Sequence, residues 1–410
     1  MIKNSFLTLL LIISNPILTQ ENLEIQKPES VGISSAKLKE LNTKLHSFVN
    51  NKQLAGIQTA IIRKNKLVHF NTYGFSNVEE NKPLKNNSIF RIFSMTKPIT
   101  SVGLMMLYEQ EKFKLDDPLY KYIPEFKNIS IYDENSGIIK AKRHIRIIDL
   151  LRHTSGISYG RTQNKSLNDL YRNAHLRNSK NLREMILKLA KLPLSFEPGT
   201  NWEYGYSTDV CGYLIEVLSG KKLDDFLYSN ILKPLRMDDT HFQLPKHKID
   251  RFTVGYRTIN GKLLVSETPE ESRFVNDVHI INGGGGLVST TKDYLQFCKM
   301  LINRGKLNDT QILKTETIAL MTKDHLKEVR KFTPRLRLMP RETGFGLGFS
   351  IASKSPNKER GVYGWGGAVG TYFRIDPERE LIYIMMIQLS PYRQLGLRQK
   401  FQQLVNNSIL

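Results

Sequence analysis

Cysteine and tryptophan are scarce in this chain of 410 residues, which contains two of each. Cys211 and Cys298 both lie in apolar helical patterns, so we expect two core thiols and no redox pair. No cluster of histidine, cysteine and aspartate has the spacing of a zinc site. We therefore predict a protein with no metal and no cofactor.

Acidic residues are also few, 39 against 60 lysines and arginines, and the net charge is +21. Such an excess can indicate a nucleic-acid partner or an anionic envelope. The basic residues are spread along the whole chain and form no stripe interleaved with aromatic residues. We therefore expect a solvated basic surface, no nucleic-acid partner and a small-molecule substrate; the oligomeric state stays open.

The N-terminus combines a cationic start, an apolar run over Phe6–Ile13 and a breaker. This order is typical of an export signal, and the run is too short for a transmembrane helix. We predict a signal peptide at residues 1–20, one domain at residues 21–410, no stable membrane span, and a periplasmic or secreted location. Ile17–Gln20 lacks the small residues of a cleavage site, so cleavage stays open.

Strand patterns occur at both ends of the chain, and from Arg146 to about Leu301 the pattern is mostly helical. We therefore predict an α+β fold: an antiparallel sheet built from N- and C-terminal strands, flanked by helices, with a mainly helical lobe inserted at roughly residues 115–300. The predicted elements are helices at Ser34–Asn50 and Leu395–Leu404, a hairpin of Gly56–Arg63 with Leu67–Phe70, and strands at Gly346–Ile351, Gly370–Ile375 and Leu381–Leu389.

Ser94 lies where an apolar, strand-like stretch from Phe90 turns directly into a helical pattern that runs to about Glu111. Lys97 follows one turn later on the same face. A helix N-terminus favours negative charge, and a serine nucleophile needs such help because its free hydroxyl is barely ionised. The stretch predicts a serine acyl-transfer enzyme.

The same Ser-x-x-Lys spacing recurs without this context. Ser34 is a predicted N-cap, Ser219 lies at a helix end, Ser289 is the predicted cap of a helix over residues 292–301, and Ser355 precedes a proline. Gly156–Gly160 matches the nucleophile elbow Gly-x-Ser-x-Gly but lacks a strand before it and a helix after it. His153, close by, is expected to end a helix and to bond locally.

A base and an oxyanion site are also needed. Tyr171 and Tyr228 lie in helical patterns, whereas Tyr204 follows a Pro-Gly turn in an aromatic loop, where chemistry is more often found. A nearby Lys97 ammonium would lower the pKa of Tyr204 from about 10. The N–H of Ala368, in a glycine-rich stretch, could serve the oxyanion, although a plain glycine bulge explains that stretch equally well. Asn282–Gly286 is predicted to be a tight packing loop.

Taken together, these motifs resemble the serine β-lactamase-related family, which groups class C β-lactamases, D-alanyl-D-alanine peptidases, D-aminopeptidases and carboxylesterases. The resemblance covers nearly the whole chain. It rests on motifs in the expected order: Phe90–Thr100, Asp149–Gly156, Pro198–Tyr204, Gly283–Thr290 and Gly364–Ala368.

The resemblance implies roles residue by residue. Ser94 is the acylated nucleophile, Lys97 and Tyr204 carry the proton, and Ala368 donates to the oxyanion. Trp365, Gly366 and Gly367 fall where the family has Lys-Thr-Gly, and Tyr206 replaces the asparagine of Tyr-x-Asn.

The two replacements remove polar groups that in the family help to bind the amide and the carboxylate of a β-lactam or peptide. We therefore predict an esterase acting on small, uncharged acyl groups. The alternatives are an amide hydrolase, either a β-lactamase or a D-amino-acid peptidase, and a catalytically inert envelope-binding protein.

Overall fold

The computed structural model describes residues 24–276, 278–332, 343–352 and 361–410, so the predicted signal peptide lies outside the described residues. The helices are α1 Ser35–Asn50, α2 Thr96–Glu109, α3 Ile147–Leu151, α4 Lys165–Asn173, α5 Leu182–Leu189, α6 Ser207–Ser219, α7 Leu223–Leu227, α8 Thr291–Ile302, α9 Thr315–Met321, α10 Lys327–Phe332 and α11 Leu397–Asn407. The strands are β1 Gly56–Arg63, β2 Lys66–Asn77, β3 Lys82–Pro83, β4 Phe90–Arg91, β5 Ser130–Asp133, β6 Gly137–Lys140, β7 Gly255–Ile259, β8 Lys262–Glu267, β9 Val288–Ser289, β10 Lys306–Leu307, β11 Thr310–Gln311, β12 Thr343–Phe345, β13 Ser350–Ala352, β14 Tyr363–Gly366, β15 Tyr372–Asp376 and β16 Leu381–Met386.

The central sheet has the strand order β12-β13-β14-β15-β16-β1-β2-β3, and every pairing in it is antiparallel. The C-terminal strand β16 pairs with the N-terminal strand β1 over six residues. Strands from the two ends of the chain therefore meet in the middle of one sheet. This confirms the predicted α+β fold.

Helices cover both faces of the sheet. Side chains alternate along each strand, so a single strand contributes apolar side chains to both faces. On β16, Tyr383 and Met385 pack with α1 and α11, whereas Ile382 and Ile384 face the opposite side with α2 and α8. Ser34 caps α1, as predicted, by accepting from the Lys37 backbone N–H. Fully burying an apolar side chain such as Ile382 or Ile384 contributes about 1.5–3 kcal/mol to the stability of the fold.

The segment between α2 and β9 forms the inserted lobe, whose helices are α3 to α7. The predicted mainly helical lobe is confirmed, and the structure adds two hairpins that the sequence analysis did not identify, since β5 pairs with β6 and β7 pairs with β8. Asn260-Gly261, the turn between β7 and β8, is a strong hairpin signal in the sequence.

Among the described residues, no helix is both long enough and apolar enough to cross a bilayer.

Two boundaries also differ from the prediction. The predicted strand Gly346–Ile351 covers mainly the connection between β12 and β13, where Gly348 has a positive φ of 93° and therefore breaks the extended run. Ser289 does not cap α8 but lies in β9, and Thr290 is the cap, accepting from the Asp293 backbone N–H. The shift moves the helix start by one residue.

Helix α2 joins the sheet to the lobe. It packs against the sheet side through Ile99 and Val102, and its small Gly103 lets α7 approach, since an added Cβ would lie 2.6 Å from the Leu227 Cδ2 atom. The N-terminus of α2 therefore lies at the junction of the two halves, which is where the sequence predicted the reactive serine.

Candidate active site

Ser94 lies in a one-turn 3₁₀ segment, Phe93–Met95, between β4 and α2. Phe93 has a φ of 41°, a region that bulky side chains rarely adopt and that stores strain. The turn is held because β4 pairs with β9 and the Ile92 N–H donates to the Leu287 carbonyl over 3.2 Å. Ser94 is half-buried at the start of the helix, so its hydroxyl remains within reach of a substrate.

Lys97 is buried, with 1% of its surface exposed. Its Nζ donates to the Tyr159 hydroxyl at 3.0 Å and to the Gly284 carbonyl at 2.5 Å, and it lies 4.7 Å from the centre of the Tyr204 ring. Burial lowers the pKa of Lys97, but attraction from Tyr159, Tyr204 and Asp209 outweighs it, so the net pKa is raised. Lys97 is therefore an ammonium at neutral pH.

Tyr204 lies in the loop before α6, as predicted, and it meets Lys97 from the lobe side. Its hydroxyl accepts from the Trp365 Nε1–H over 3.3 Å. The rings of Tyr159, Trp365 and His153 surround it, with centroid distances of 5.5, 5.5 and 5.1 Å. The fold thus gathers the serine turn, the lysine and this tyrosine from separate segments, while their catalytic roles stay predictions.

Tyr159 is a contact that the sequence analysis missed, because it lies in the Gly156–Gly160 stretch set aside as a false elbow. That stretch is a loop after α3, with no strand before it, and Ser158 is buried with its hydroxyl donating to Glu203 over 3.3 Å. Burial raises the pKa of Tyr159, against the pull of Lys97. Tyr159 is therefore a protonated phenol that accepts from Lys97.

His153 follows the end of α3, and its backbone N–H donates to the Leu150 carbonyl over 3.2 Å, so it bonds locally as expected. Its Nδ1 is buried without a hydrogen-bond partner in the described part of the chain, and the ring packs against Tyr204, Trp202 and Phe345. Burial, followed by repulsion from Lys97, lowers the pKa of His153 well below its ordinary value. The neutral imidazole serves as packing beside the site.

The glycine run after Asn282 packs tightly, as predicted, but it also enters the site. Gly283 faces the Thr208 carbonyl, and an added Cβ on Gly284 would come within 2.6 Å of the Asp209 Oδ2 atom. The Gly284 carbonyl accepts from Lys97, and its N–H donates to the Asp209 Oδ1 atom over 3.0 Å. Asp209, on α6, and Gly284 were not identified from the sequence as site residues.

The end of β14 forms the opposite wall. Gly367 packs directly on the backbone two residues before Ser94, since an added Cβ would lie 2.4 Å from the Ile92 carbonyl oxygen. Ala368 follows in an exposed turn. Arg398 of α11 donates to the Gly367 carbonyl over 2.7 Å and lies against Gly366. Because N–H and C=O point in opposite directions across a trans peptide, Arg398 also fixes the direction of the Ala368 N–H.

Two aromatic side chains occupy the positions where the sequence departs from the family pattern. Trp365 is half-buried and packs edge-on against Phe345 with centroids 5.3 Å apart. Tyr206 is 8% exposed and packs 4.5 Å from Tyr159. Burial raises the pKa of Tyr206, so its phenol stays neutral. The rim of the site is therefore aromatic at both positions.

Cys211 and Cys298 are buried free thiols, in agreement with the sequence analysis. Within the described ranges, no group of three or more histidine, cysteine, aspartate or glutamate side chains is arranged to hold a metal ion. The chemistry that this arrangement offers is a serine at a helix start, an ammonium one turn later, a neighbouring phenol and backbone donors on a sheet edge.

Comparison with known proteins identifies the family of this chain. The family described as Beta-lactamase matches residues 41–405. Protein Rv1367c of Mycobacterium tuberculosis is 31% identical over 362 residues, which cover 82% of this chain and 86% of that protein. Esterase EstB of Burkholderia gladioli is 26% identical over 235 residues, covering 56% of this chain and 57% of that one.

Among solved structures, EstCE1, described as a hydrolase with promiscuous acyltransferase activity, superposes with a TM-score of 0.76. It is 23% identical, and the match covers 91% of this chain and 98% of EstCE1. At that identity the similarity shows the fold, and the family match over most of the sequence shows the enzyme class. The chain belongs to the beta-lactamase family of serine hydrolases.

Proposed function

We propose that this protein is an exported serine esterase that hydrolyses small, uncharged acyl esters through an acyl-enzyme on Ser94. The observation that carries the proposal is the buried Lys97 ammonium, which lies one helical turn after Ser94 and contacts both Tyr159 and Tyr204. We assign Tyr204, the loop tyrosine that lies beside this positive charge, as the base for the serine.

The reaction has two halves. The Ser94 Oγ attacks the ester carbonyl carbon while its proton passes to Tyr204, and the developing oxyanion binds the N–H groups of Ser94 and Ala368. The proton then moves to the leaving alkoxide as the C–O bond breaks. In the second half, water attacks the acyl-enzyme, Tyr204 takes the proton of the water, and Ser94 leaves with a proton returned from Tyr204.

The preference for esters rests on Trp365 and Tyr206. They stand where the family resemblance places a lysine and an asparagine that help to bind charged and amide groups. Their rings pack against neighbouring aromatic side chains, and the Trp365 indole N–H donates to Tyr204. An aromatic rim favours a small apolar acyl group, because neither of these two rings carries a charge that could bind a carboxylate.

The test is turnover of p-nitrophenyl acetate, p-nitrophenyl butyrate and nitrocefin by the wild type and by Ser94→Ala. We expect ester hydrolysis that disappears in the variant, with nitrocefin left intact. Rapid nitrocefin hydrolysis would instead favour the amide-hydrolase alternative. An equally active Ser94→Ala variant would contradict the assignment of the nucleophile, and failure of any acylating probe to label Ser94 would favour an inert binding protein.

A further inference from the structure

We propose that Asp209 is a positioning residue which, through Gly284, keeps Lys97 permanently charged, so that Tyr204 alone carries the proton during catalysis. The inference rests on the proposed function, because it assigns the proton inventory of the same site. It concerns a buried carboxylate that the reaction scheme above does not use.

The main chain of Gly284 links Asp209 to Lys97. Asp209 and Lys97 are both almost fully buried, at 0% and 1% exposure, and both bond to the main chain of Gly284. The Gly284 N–H donates to the Asp209 Oδ1 atom at 3.0 Å, and the Lys97 Nζ donates to the Gly284 carbonyl at 2.5 Å. An added Cβ on Gly284 would lie 2.6 Å from Asp209 Oδ2, so a larger residue there would displace the carboxyl group.

The two carboxyl oxygens of Asp209 differ in their surroundings. Its Oδ1 accepts a hydrogen bond, and its Oδ2 has no partner among the described residues. Burial raises the pKa of Asp209 on balance, and the Lys97 ammonium and the hydrogen bond from the Gly284 N–H oppose that rise. Because both of these groups are fixed against the carboxyl group and favour its charged form, we assign Asp209 as the carboxylate partner of Lys97.

Lys97 needs a counter-charge because it is buried. A buried ammonium without a counter-charge costs several kcal/mol, and Asp209 is the carboxylate that acts on it. The remaining contacts, the Gly284 carbonyl and the faces of two tyrosine rings, also suit a cation. Lys97 thus keeps its three protons throughout, and the proton of Ser94 moves only to Tyr204 and from there to the leaving group.

Other groups also face the pair. The titratable and charged groups that act on Lys97 or Asp209 are Tyr159, Tyr204, Tyr206, His153, Arg177, Cys211 and Arg273. Arg177 is a cation and pulls Asp209 further toward the carboxylate, whereas burial opposes ionisation of Asp209. His153 is neutral, so it does not compete with Lys97 for the negative charge.

The experiment compares the pH profiles of kcat/KM for p-nitrophenyl butyrate in the wild type, Asp209→Asn and Asp293→Asn. Asp293 is the matched control: it is also a buried carboxylate on a helix, and it accepts from Thr240 and from the Asp239 N–H away from Lys97. We expect the alkaline limb of the kcat/KM profile to move down by about one pH unit or more in Asp209→Asn, since a neighbouring opposite charge shifts a pKa by roughly that amount. Above the new limb, kcat/KM then falls about tenfold per unit while KM changes little. The Asp293→Asn limb should keep the wild-type position.

A second measurement does not depend on the variant folding. In wild-type protein labelled with [ε-¹³C]lysine, the Lys97 signal, assigned with Lys97→Arg, should keep the chemical shift of an ammonium to above about pH 10. Deprotonation of Lys97 below pH 9, or a folded Asp209→Asn variant with the wild-type profile, would overturn the inference. The proposed function fails separately, if Ser94→Ala retains activity.

Discussion

The two sides of the Ser94 site differ in how they are built. The lysine side, consisting of Lys97, Tyr159, Tyr204, Gly284 and Asp209, is largely buried and joined by hydrogen bonds and ring contacts. The sheet side, consisting of Trp365–Ala368 and Arg398, offers backbone groups and an aromatic rim that is partly open to solvent. Electrostatic interactions are stronger in the dry half, so we assign proton transfer to the lysine side and substrate selection to the sheet side.

Ser94 lies between the two sides, and its removal should have the largest effect. We expect Ser94→Ala to lower kcat for p-nitrophenyl butyrate by at least about 10³-fold, because no other group forms the acyl-enzyme. Mass spectrometry after a fluorophosphonate probe should find the label on Ser94 in the wild type and no label in the variant.

Ser158→Ala is the matched control, since Ser158 belongs to the Gly-x-Ser-x-Gly match but is buried and bonded to Glu203. It should cost about 1–2 kcal/mol of stability through the lost hydrogen bond, seen as a lower Tm, with kcat within a few-fold of the wild type. Loss of labelling in Ser158→Ala, with labelling retained in Ser94→Ala, would exchange the roles of the two serines.

The two tyrosines test the assignment within the lysine side. Tyr204→Phe removes the predicted base and should lower kcat by about 10²–10⁴-fold. Tyr159→Phe removes one hydrogen bond to the Lys97 ammonium and should cost about tenfold, as expected for a bond to a charged group. Both are measured as kcat on p-nitrophenyl butyrate, and a larger loss in Tyr159→Phe would move the base to Tyr159.

The sequence predicted the lysine side only in part, because several contacts of Lys97 are with residues far away along the chain. Ser94 and Lys97 are visible because a helix brings positions i and i+3 together, and Tyr204 because a Pro-Gly turn marks its loop. The partners of Lys97 are separated from it by 62 residues at Tyr159 and 187 at Gly284, and no local pattern reports such pairings. The same limit applies to Arg398, whose place beside β14 depends on how α11 packs on the sheet.

The fold was easier to predict than the site, since alternating strands at both chain ends and a helical middle are patterns of composition and period. The elements that the sequence analysis missed are the two hairpins β5-β6 and β7-β8, whose strands are short and partly polar. In β8 the side chains alternate between exposed and half-buried, so the apolar signal is weak and only the Asn260-Gly261 turn marks the hairpin.

Arg398 tests whether the sheet side contributes to the chemistry. Arg398→Met removes the hydrogen bonds to the Gly367 and Thr371 carbonyls, both 2.7 Å long, and frees the peptide that carries the Ala368 N–H. We expect kcat to fall about tenfold with KM nearly unchanged, a smaller loss than complete removal of an oxyanion donor. Arg398→Lys, which can keep one bond, should fall in between, and a change confined to Tm would leave Arg398 with a structural role alone.

Trp365 should give the smallest effect and the clearest change in selectivity. Trp365→Phe keeps an aromatic ring at the rim but loses the indole N–H that donates to Tyr204 over 3.3 Å. One neutral hydrogen bond is worth about 0.5–1.5 kcal/mol, so ester turnover should change by only about two- to tenfold. Trp365→Lys instead places a cation beside Tyr204, where a charged substrate could bind. The ratio of kcat/KM for p-nitrophenyl butyrate to that for nitrocefin should therefore fall in Trp365→Lys and stay nearly constant in Trp365→Phe. If both variants kept the wild-type ratio, substrate selection would depend on another part of the site, and its assignment to the sheet side would be wrong.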